Sequence, residues 1–241
     1  MELCAERIAA RLNMPELPVY VFDTLDSTGD ECRRRLAAGE KRCLVLAERQ
    51  TGGRGRSGKI FFSPAGGLYM SLALQKRPDI VGLTCRAAVE TAEAIEALTG
   101  IHCGIKWVND LFLQGKKVCG ILAEVIGGAV ILGVGVNLVP AELPETLEPI
   151  VGFLNCGDVR EALAAEITAG LLRERERTEY MEVYRSRSIV LGKRLDCRIG
   201  DRTFSALATG VGDDGGLAVL GPEGPEILRF GEVTLSGLNL K

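Results

Sequence analysis

The chain has 241 residues, 46% hydrophobic and 25% charged, which excludes a disordered or fibrous protein and allows one large domain or a main domain with a small companion. Its 29 Lys and Arg against 32 Asp and Glu leave a net charge of −3, and aromatic residues make up only 5%. Neither a global basic footprint nor a base-stacking surface is present, so no nucleic-acid partner is expected.

The first residues carry Glu2, Glu6, Arg7 and Arg11, which break any apolar signal-peptide core. The longest central stretch without charge, residues 125–140, is shorter than the roughly 18 to 20 apolar residues of a membrane span. No membrane partner and a cytoplasmic location are expected. Residues 18–22 read as a strand. Asp26, Ser27 and Thr28 offer N-cap chemistry for a helix over 29–38 that Gly39 stops. Residues 43–47 form a second strand, the glycine-rich 50–67 a loop, and 68–74 a third strand. Leu83, Ala87, Thr91, Ile95 and Leu98 recur at helical spacing, and Gly100 ends that helix. Residues 105–108, 111–113, 117–126 and 129–136 predict successive strands, with turns at Gln114-Gly115 and Gly127-Gly128. A proline-bearing loop follows over 138–157.

Val159, Leu163, Ile167 and Leu171 mark a helix expected to run to about Arg187, with the charge-alternating 173–177 on its solvated face. After Leu191 the character changes to short strands over 195–199, 203–211, 217–220 and 226–230. That pattern predicts a small barrel appended to an α+β domain. The eight cysteines include no pair at CxxC spacing, and His102 is the only histidine, so a Cys/His zinc site has little to build on. The cysteines read as mostly reduced core residues and His102 as structural, which removes Ser-His-Asp chemistry as a default.

Three constellations could carry chemistry. Gly53, Gly55 and Gly58 fit dinucleotide spacing, and residues 53–59 fit the start of a P-loop. Both motifs need a helix to follow, and Ile60-Phe61-Phe62-Ser63-Pro64 starts none. What remains is a glycine-rich loop whose Arg54 and Arg56 can grip phosphate or carboxylate, or else a solvated basic turn. Its two arginines repel each other without a ligand, so mobility is expected until an anion arrives. The second constellation is 105–110, where a strand would send Lys106 and Val108 one way and Trp107 and Asn109 the other. It is a site at a strand end, or a turn with Trp107 in the core. In the third, Lys116 and Lys117 open the apolar strand 118–124, either as snorkelling surface residues or aimed into a cleft.

Together these segments resemble a known family. TLDST (24–28), QTGGRGRSGKIFFSP (50–64), IKWVNDLFLQGKKVCGILAE (105–124) and GVGVNL (133–138) stand in the order and spacing of biotin–protein ligases. LGK (191–193) and FGEVTL (230–235) are similar to that family's small C-terminal barrel. The resemblance implies an α+β fold: a mixed β-sheet flanked by helices over residues 1–188, then an SH3-like β-barrel over 189–241. It implies a ligase that joins biotin to ATP, forming biotinyl-5′-adenylate and pyrophosphate. The enzyme then passes biotin to a lysine of a carboxylase's biotin carboxyl carrier domain. TLDST is reached too early for a preceding helix-turn-helix domain. A homodimer stays open, as do two alternatives: a lipoate or octanoate–protein ligase and a non-catalytic biotin sensor.

Carried over by motif, Ser27, Thr28, Gly29, Gln50 and Gly120 would bind biotin. Arg54, Gly55 and Arg56 would close over biotin and the adenylate phosphate. Lys117 would sit beside the biotin carboxylate and α-phosphate, with Lys117, Arg56 and Lys106 as the catalytic cations. Phe61, Lys106, Asn109, Asp110 and Asn137 would hold ATP together with Arg56. Mg²⁺ would be held mainly through the phosphates, with Asp110 as a candidate ligand. Three residues depart from the family pattern: Gly29 replaces Asn, Val108 replaces Pro, and Phe61 replaces Trp. The chemistry needs no Ser, Cys or His, because biotin's own carboxylate attacks; it needs cations that neutralise a polyphosphate.

Overall fold

The computed structural model describes residues 2–75 and 79–235. Its first sheet contains β1 (Val19–Leu25), β2 (Arg42–Gln50), β3 (Leu68–Leu74), β4 (Gly104–Lys106), β5 (Asp110–Leu113), β6 (Lys116–Ile126) and β7 (Ala129–Val136). The spatial order is β1-β2-β3-β7-β6-β5-β4. Only β1 and β2 run parallel, joined by the helix α2 (Thr28–Ala37) that a parallel connection requires. The remaining neighbours are antiparallel, so the sheet is mixed, as expected. Gln114-Gly115 and Gly127-Gly128 turn two of its hairpins with positive φ throughout (51°, 81°, 55° and 89°), the conformation that two-residue hairpin turns demand.

Alternation along β2 shows the layering. Leu44 and Leu46 face the large core under the other helices, while Cys43 and Val45 face α2 with Cys32, Ala73 and Ile131. The large core lies under α1 (Ala5–Leu12), α3 (Ile80–Thr99), α4 (Arg160–Leu172) and α5 (Arg177–Ser186). Gly100 caps α3 in the left-handed region at φ 73°. The sequence reading contains no counterpart of α1. This short helix buries Ile8 and Leu12 and is held from outside by Arg7 on Glu161 of α4 at 2.6 Å.

Two sequence expectations need correction. The long helix to Arg187 is two helices, broken at 173–176. Those residues are good helix formers, but Arg175 turns inward to the buried Glu90 of α3 at 3.1 Å, and the exposed Arg173 reaches the same carboxylate at 3.0 Å. Arg175 also pairs with Glu93 at 2.6 Å, so the run clamps two helices and is not helical, while Arg173, Glu174, Glu176 and Arg177 are exposed as expected. The strand expected over 105–108 ends at Lys106, and 107–109 form a turn with a cis peptide between Trp107 and Val108. Strict alternation therefore fails. Trp107 and Val108 both enter the core, whereas Lys106 and Asn109 both line the cavity described below.

A second, antiparallel sheet follows: β8 (Arg194–Ile199), β9 (Arg202–Val211), β10 (Leu217–Gly221), β11 (Gly224–Leu228) and β12 (Glu232–Leu235), in the order β11-β10-β9-β8-β12. The sequence reading ended its strands at residue 230 and so omitted β12. The two sheets share one hydrophobic core, in which Leu195, Ala208 and Leu217 join Trp107. The Trp107 indole donates to the Gly215 carbonyl at 2.9 Å, and the Ile105 N–H to the Arg187 carbonyl at 2.7 Å. Among the described residues no helix is long and apolar enough to cross a membrane.

Candidate active site

A cavity of about 370 Å³ lies between the start of α2, the glycine-rich loop after β2, strands β3 and β5 to β7, and the start of β12. Every site residue singled out above, from Ser27 to Asn137, lines it. Residues scattered along the first 137 positions are brought together because β3, β7 and β6 are adjacent and α2 starts against them.

One end is a hydroxyl and amide network. Ser27 caps α2, its Oγ accepting from the Gly29 N–H at 3.2 Å. The Thr28 N–H donates to Gln50 Oε1 at 2.8 Å, and the Thr28 hydroxyl lies 3.1 Å from the same oxygen. Gln50 Nε2 donates to Ser63 Oγ at 2.9 Å, and that hydroxyl donates to the Phe61 carbonyl at 2.8 Å. Gly53 is a steric necessity here: a Cβ would stand 2.6 Å from Ser63 Oγ. Gly29 is not, since its nearest neighbours would sit at an ordinary 3.5 to 4.0 Å.

The glycine-rich loop crosses the cavity. Gly55 N–H donates to the Lys59 carbonyl at 2.7 Å around a single 3-10 turn, with Ser57 at φ 55°. Every cation in it already has a partner. Arg54 pairs with Asp30 at 2.8 Å and Lys59 with Glu232 at 2.6 Å. Arg56 donates to Asn109 Oδ1 and to the Gly231 carbonyl, both at 3.1 Å. The expectation that the arginines repel without a ligand overlooked these partners, which come from α2, the 107–109 turn and the approach to β12.

The middle of the cavity is cationic. Lys117 resolves the snorkel-or-cleft alternative: its ammonium lines the cavity and pairs with Asp110 at 2.7 Å. Lys116 points elsewhere, donating to the Glu148 carbonyl at 2.9 Å. Burial lowers the pKa of Lys106 below the ordinary lysine range; Asp110 opposes the shift and Lys117 adds to it. Phe61 packs over Gly120 and Gly135, register partners on β6 and β7. A Cβ would lie 2.9 Å from its ring at Gly120 and 2.5 Å at Gly135, so both glycines make room for that ring. Tyr69 meets the ring edge-on at 6.4 Å, and the Lys117 ammonium stands 5.9 Å from its centroid. Asn109 and Asn137 are buried, their amides donating to the Ile121 and Gly152 carbonyls at 2.7 and 3.2 Å.

The sequence reading missed Ser71, Ser63, Asp30 and Glu232. A lone hydroxyl in the apolar strand LYMSLAL was the one local signal for Ser71. His102 lies outside the cavity wall, on the exposed surface beside Glu96 at 3.1 Å. Among the described residues no three His, Cys, Asp or Glu side chains cluster as metal ligands. The cavity's carboxylates are Asp110, Glu124 and Glu232, each already ion-paired.

Known proteins share this fold. The model of the biotin/lipoate A/B protein ligase family matches residues 21–139. The bifunctional ligase/repressor BirA of Bacillus spizizenii is 32% identical over 215 residues, covering 80% of this chain and 66% of that protein. The chain thus spans about two thirds of that relative's length. The biotin–[acetyl-CoA-carboxylase] ligase of Paracoccus denitrificans is 29% identical, covering 88% of this chain and 98% of the other. The solved biotin protein ligase of Aquifex aeolicus in complex with biotin and ATP superposes with a TM-score of 0.79 at 27% identity, covering 90% of this chain and 98% of that one. Residues 21–139 belong to the biotin/lipoate A/B protein ligase family, and over most of its length the chain is similar to biotin protein ligases.

Proposed function

We propose that the protein activates biotin with ATP as biotinyl-5′-adenylate and transfers the biotinyl group to a lysine of a biotin carboxyl carrier domain. The observation that carries this reading is one cavity that joins a hydroxyl and amide pocket at Ser27, Thr28 and Gln50 to a cluster of Arg56, Lys106 and Lys117. The first suits a small polar ring, and the second a carboxylate meeting a polyphosphate.

In the first step a biotin carboxylate oxygen attacks the α-phosphorus of ATP. The bond to the β-phosphate breaks and pyrophosphate leaves. Lys117 and Arg56 hold the two anions together, and their fixed charges stabilise the charge that builds on the phosphoryl oxygens. Lys106, Asn109, Asp110 and Asn137 organise the nucleotide, and Phe61 offers its ring to the adenine. A magnesium ion fits this site only through the phosphates plus the Asp110 carboxylate, and would supply charge neutralisation. In the second step the carrier's lysine amine attacks the acyl carbon, an amide forms and AMP leaves. The loop through Gly55 and Arg56 shields the mixed anhydride from water until then.

Residues 1–188 form the catalytic unit of this reading. In this reading the second sheet belongs to an SH3-like barrel, Gly231 and Glu232 steady the loop, and the enzyme works in the cytoplasm. The test is biotin-dependent exchange of labelled pyrophosphate into ATP, with lipoate as the control acid. Exchange with biotin alone supports the reading; exchange only with lipoate, or none, overturns it.

A further inference from the structure

Helix α2 covers its side of the first sheet over a small core of its own. The buried members are Cys32, Cys43, Val45, Ala73 and Ile131, with Tyr20, Phe22, Leu25, Leu36 and Ile126 packed around them. Two of the five are thiols. Cys32 stands on the inner side of α2 and Cys43 on β2, both 0% exposed, and their sulfurs lie 3.9 Å apart. All eight cysteines are free, so this pair is reduced. The reaction proposed above uses neither thiol. A disulfide holds its sulfurs at about 2 Å, so bonding these two draws α2 toward β2.

The pair sits behind the cavity wall. Cys32 follows Thr28 by one turn and lies on the same side of α2. The Thr28 N–H is held at 2.8 Å by Gln50, at the other end of the strand that carries Cys43. Cys32 Sγ donates to the Ser71 carbonyl at 3.4 Å, and Ser71 lines the cavity from β3. A disulfide removes that bond, because Cys32 keeps no proton to give, and it moves Thr28 with the helix. The neighbouring Cys43 thiol and burial together push the Cys32 thiol up, which keeps the pair inert while α2 is seated. Yet α2 has only 10 residues and rests on few buried side chains. Such a helix opens locally at less than the cost of global unfolding, and a small oxidant then has access.

We propose that Cys32 and Cys43 form a modification site, in which hydrogen peroxide joins them as a reversible disulfide that shifts α2 and weakens biotin binding. The effect on biotin rests on the proposed placement of its ring beside Ser27 and Thr28; the disulfide itself does not. In the first step one sulfur attacks a peroxide oxygen, the O–O bond breaks, and a sulfenic acid and one water form. In the second the other sulfur attacks the sulfenic sulfur, the S–O bond breaks, and a second water leaves with the remaining thiol proton. The two thiols lose two electrons to the peroxide, and a dithiol reductant returns them.

The test is peptide mass mapping and calorimetric titration of the full chain, first reduced and then treated with hydrogen peroxide. Mapping should find a peptide pair joined through Cys32 and Cys43. Biotin should bind about tenfold more weakly than to the reduced protein, as for loss of one hydrogen bond. Dithiothreitol should reverse both changes. Cys43→Ala should bind biotin as the reduced wild type does and keep that affinity after peroxide. By reciprocity, saturating biotin should shift the equilibrium with dithiothreitol toward the thiols by the same factor as the loss of affinity. Absence of the Cys32–Cys43 linkage, or linkage with biotin affinity unchanged, overturns the proposal. So does an equal loss of affinity in peroxide-treated Cys43→Ala. If that variant does not fold, the linkage in wild type and the biotin shift of its equilibrium decide. A reduced wild type that binds no biotin overturns the functional reading, while the linked peptide still decides the disulfide.

Discussion

Lys117 and Lys106 share a cavity but differ in surroundings. Lys117 has a carboxylate at 2.7 Å, whereas burial is the first influence on Lys106. Replacing Lys117 by Ala removes a cation from the proposed meeting point of carboxylate and phosphate, and little core packing. Biotin-dependent pyrophosphate exchange should fall by at least about a hundredfold, in line with loss of a preorganised charge, while the melting temperature stays within a few degrees. Normal exchange in Lys117→Ala would pass the role to another cation. Lys106 yields a pH prediction. Its ammonium faces Asp110, Glu232, Lys117 and Lys59, and its folded pKa lies below the unfolded one. As pH rises through the lowered value the charge is lost, so kcat/KM for ATP should fall below the ordinary lysine range, and Lys106→Arg should shift that alkaline limb upward. Stability has the opposite sign: the unfolded chain binds the proton more tightly, so this residue's contribution rises with pH between the two values. The charged residues at this scale were legible because Arg56, Lys106 and Lys117 each stand inside a motif. Ser71 was not, because its surroundings are made by Thr28, Gly29 and Gly133, each remote in sequence.

Elements place these residues through register. Gly120 opposes Gly135 across β6 and β7, and that pair forms the floor under Phe61. Gly135→Ala would set a methyl 2.5 Å from the ring edge and displace Phe61. The expected result is a KM for ATP raised about tenfold, the loss of one ring contact or more, with biotin affinity nearly unchanged. Titration with a non-hydrolysable nucleotide measures it. The loop through Arg54, Arg56 and Lys59 contains three trypsin sites held by Asp30, Asn109, Gly231 and Glu232. Biotin plus that nucleotide should slow cleavage at residues 54–59, and Glu232→Gln should speed it in the free protein. Equal cleavage with and without ligands would end the lid reading. Most strands and α3 were legible from alternation and from Gly100. The break at 173–176 was not, because Glu90 and Glu93 on another helix draw Arg173 and Arg175 away from one more helical turn. The helix α1 is too short to signal itself, with its salt-bridge partner Glu161 more than 150 residues away.

At the scale of the molecule, two sheets share one core with the chain's single tryptophan at the junction. Removing residues 189–241 would uncover Trp107 and delete the Gly215 carbonyl that holds its indole. The shortened chain should keep helical signal, lose carrier biotinylation, and emit Trp fluorescence at longer wavelength than the full chain. Unshifted emission with intact biotinylation would show the second sheet to be dispensable. The junction was illegible in sequence because the contact spans 108 positions and the motif around Trp107 serves the cavity equally. The cavity wall has a consequence for synthesis. It begins at Ser27 and closes with Gly231, Glu232, Val233 and Thr234. In synthesis these last wall residues follow Arg56, Lys106 and Lys117, the proposed catalytic cations. A growing chain has Ser27, Thr28 and Gln50 long before it can tether Arg56 to the Gly231 carbonyl. On the proposed reaction, a chain not yet translated past Gly231 is expected to hold little adenylate, because its loop has no tether there.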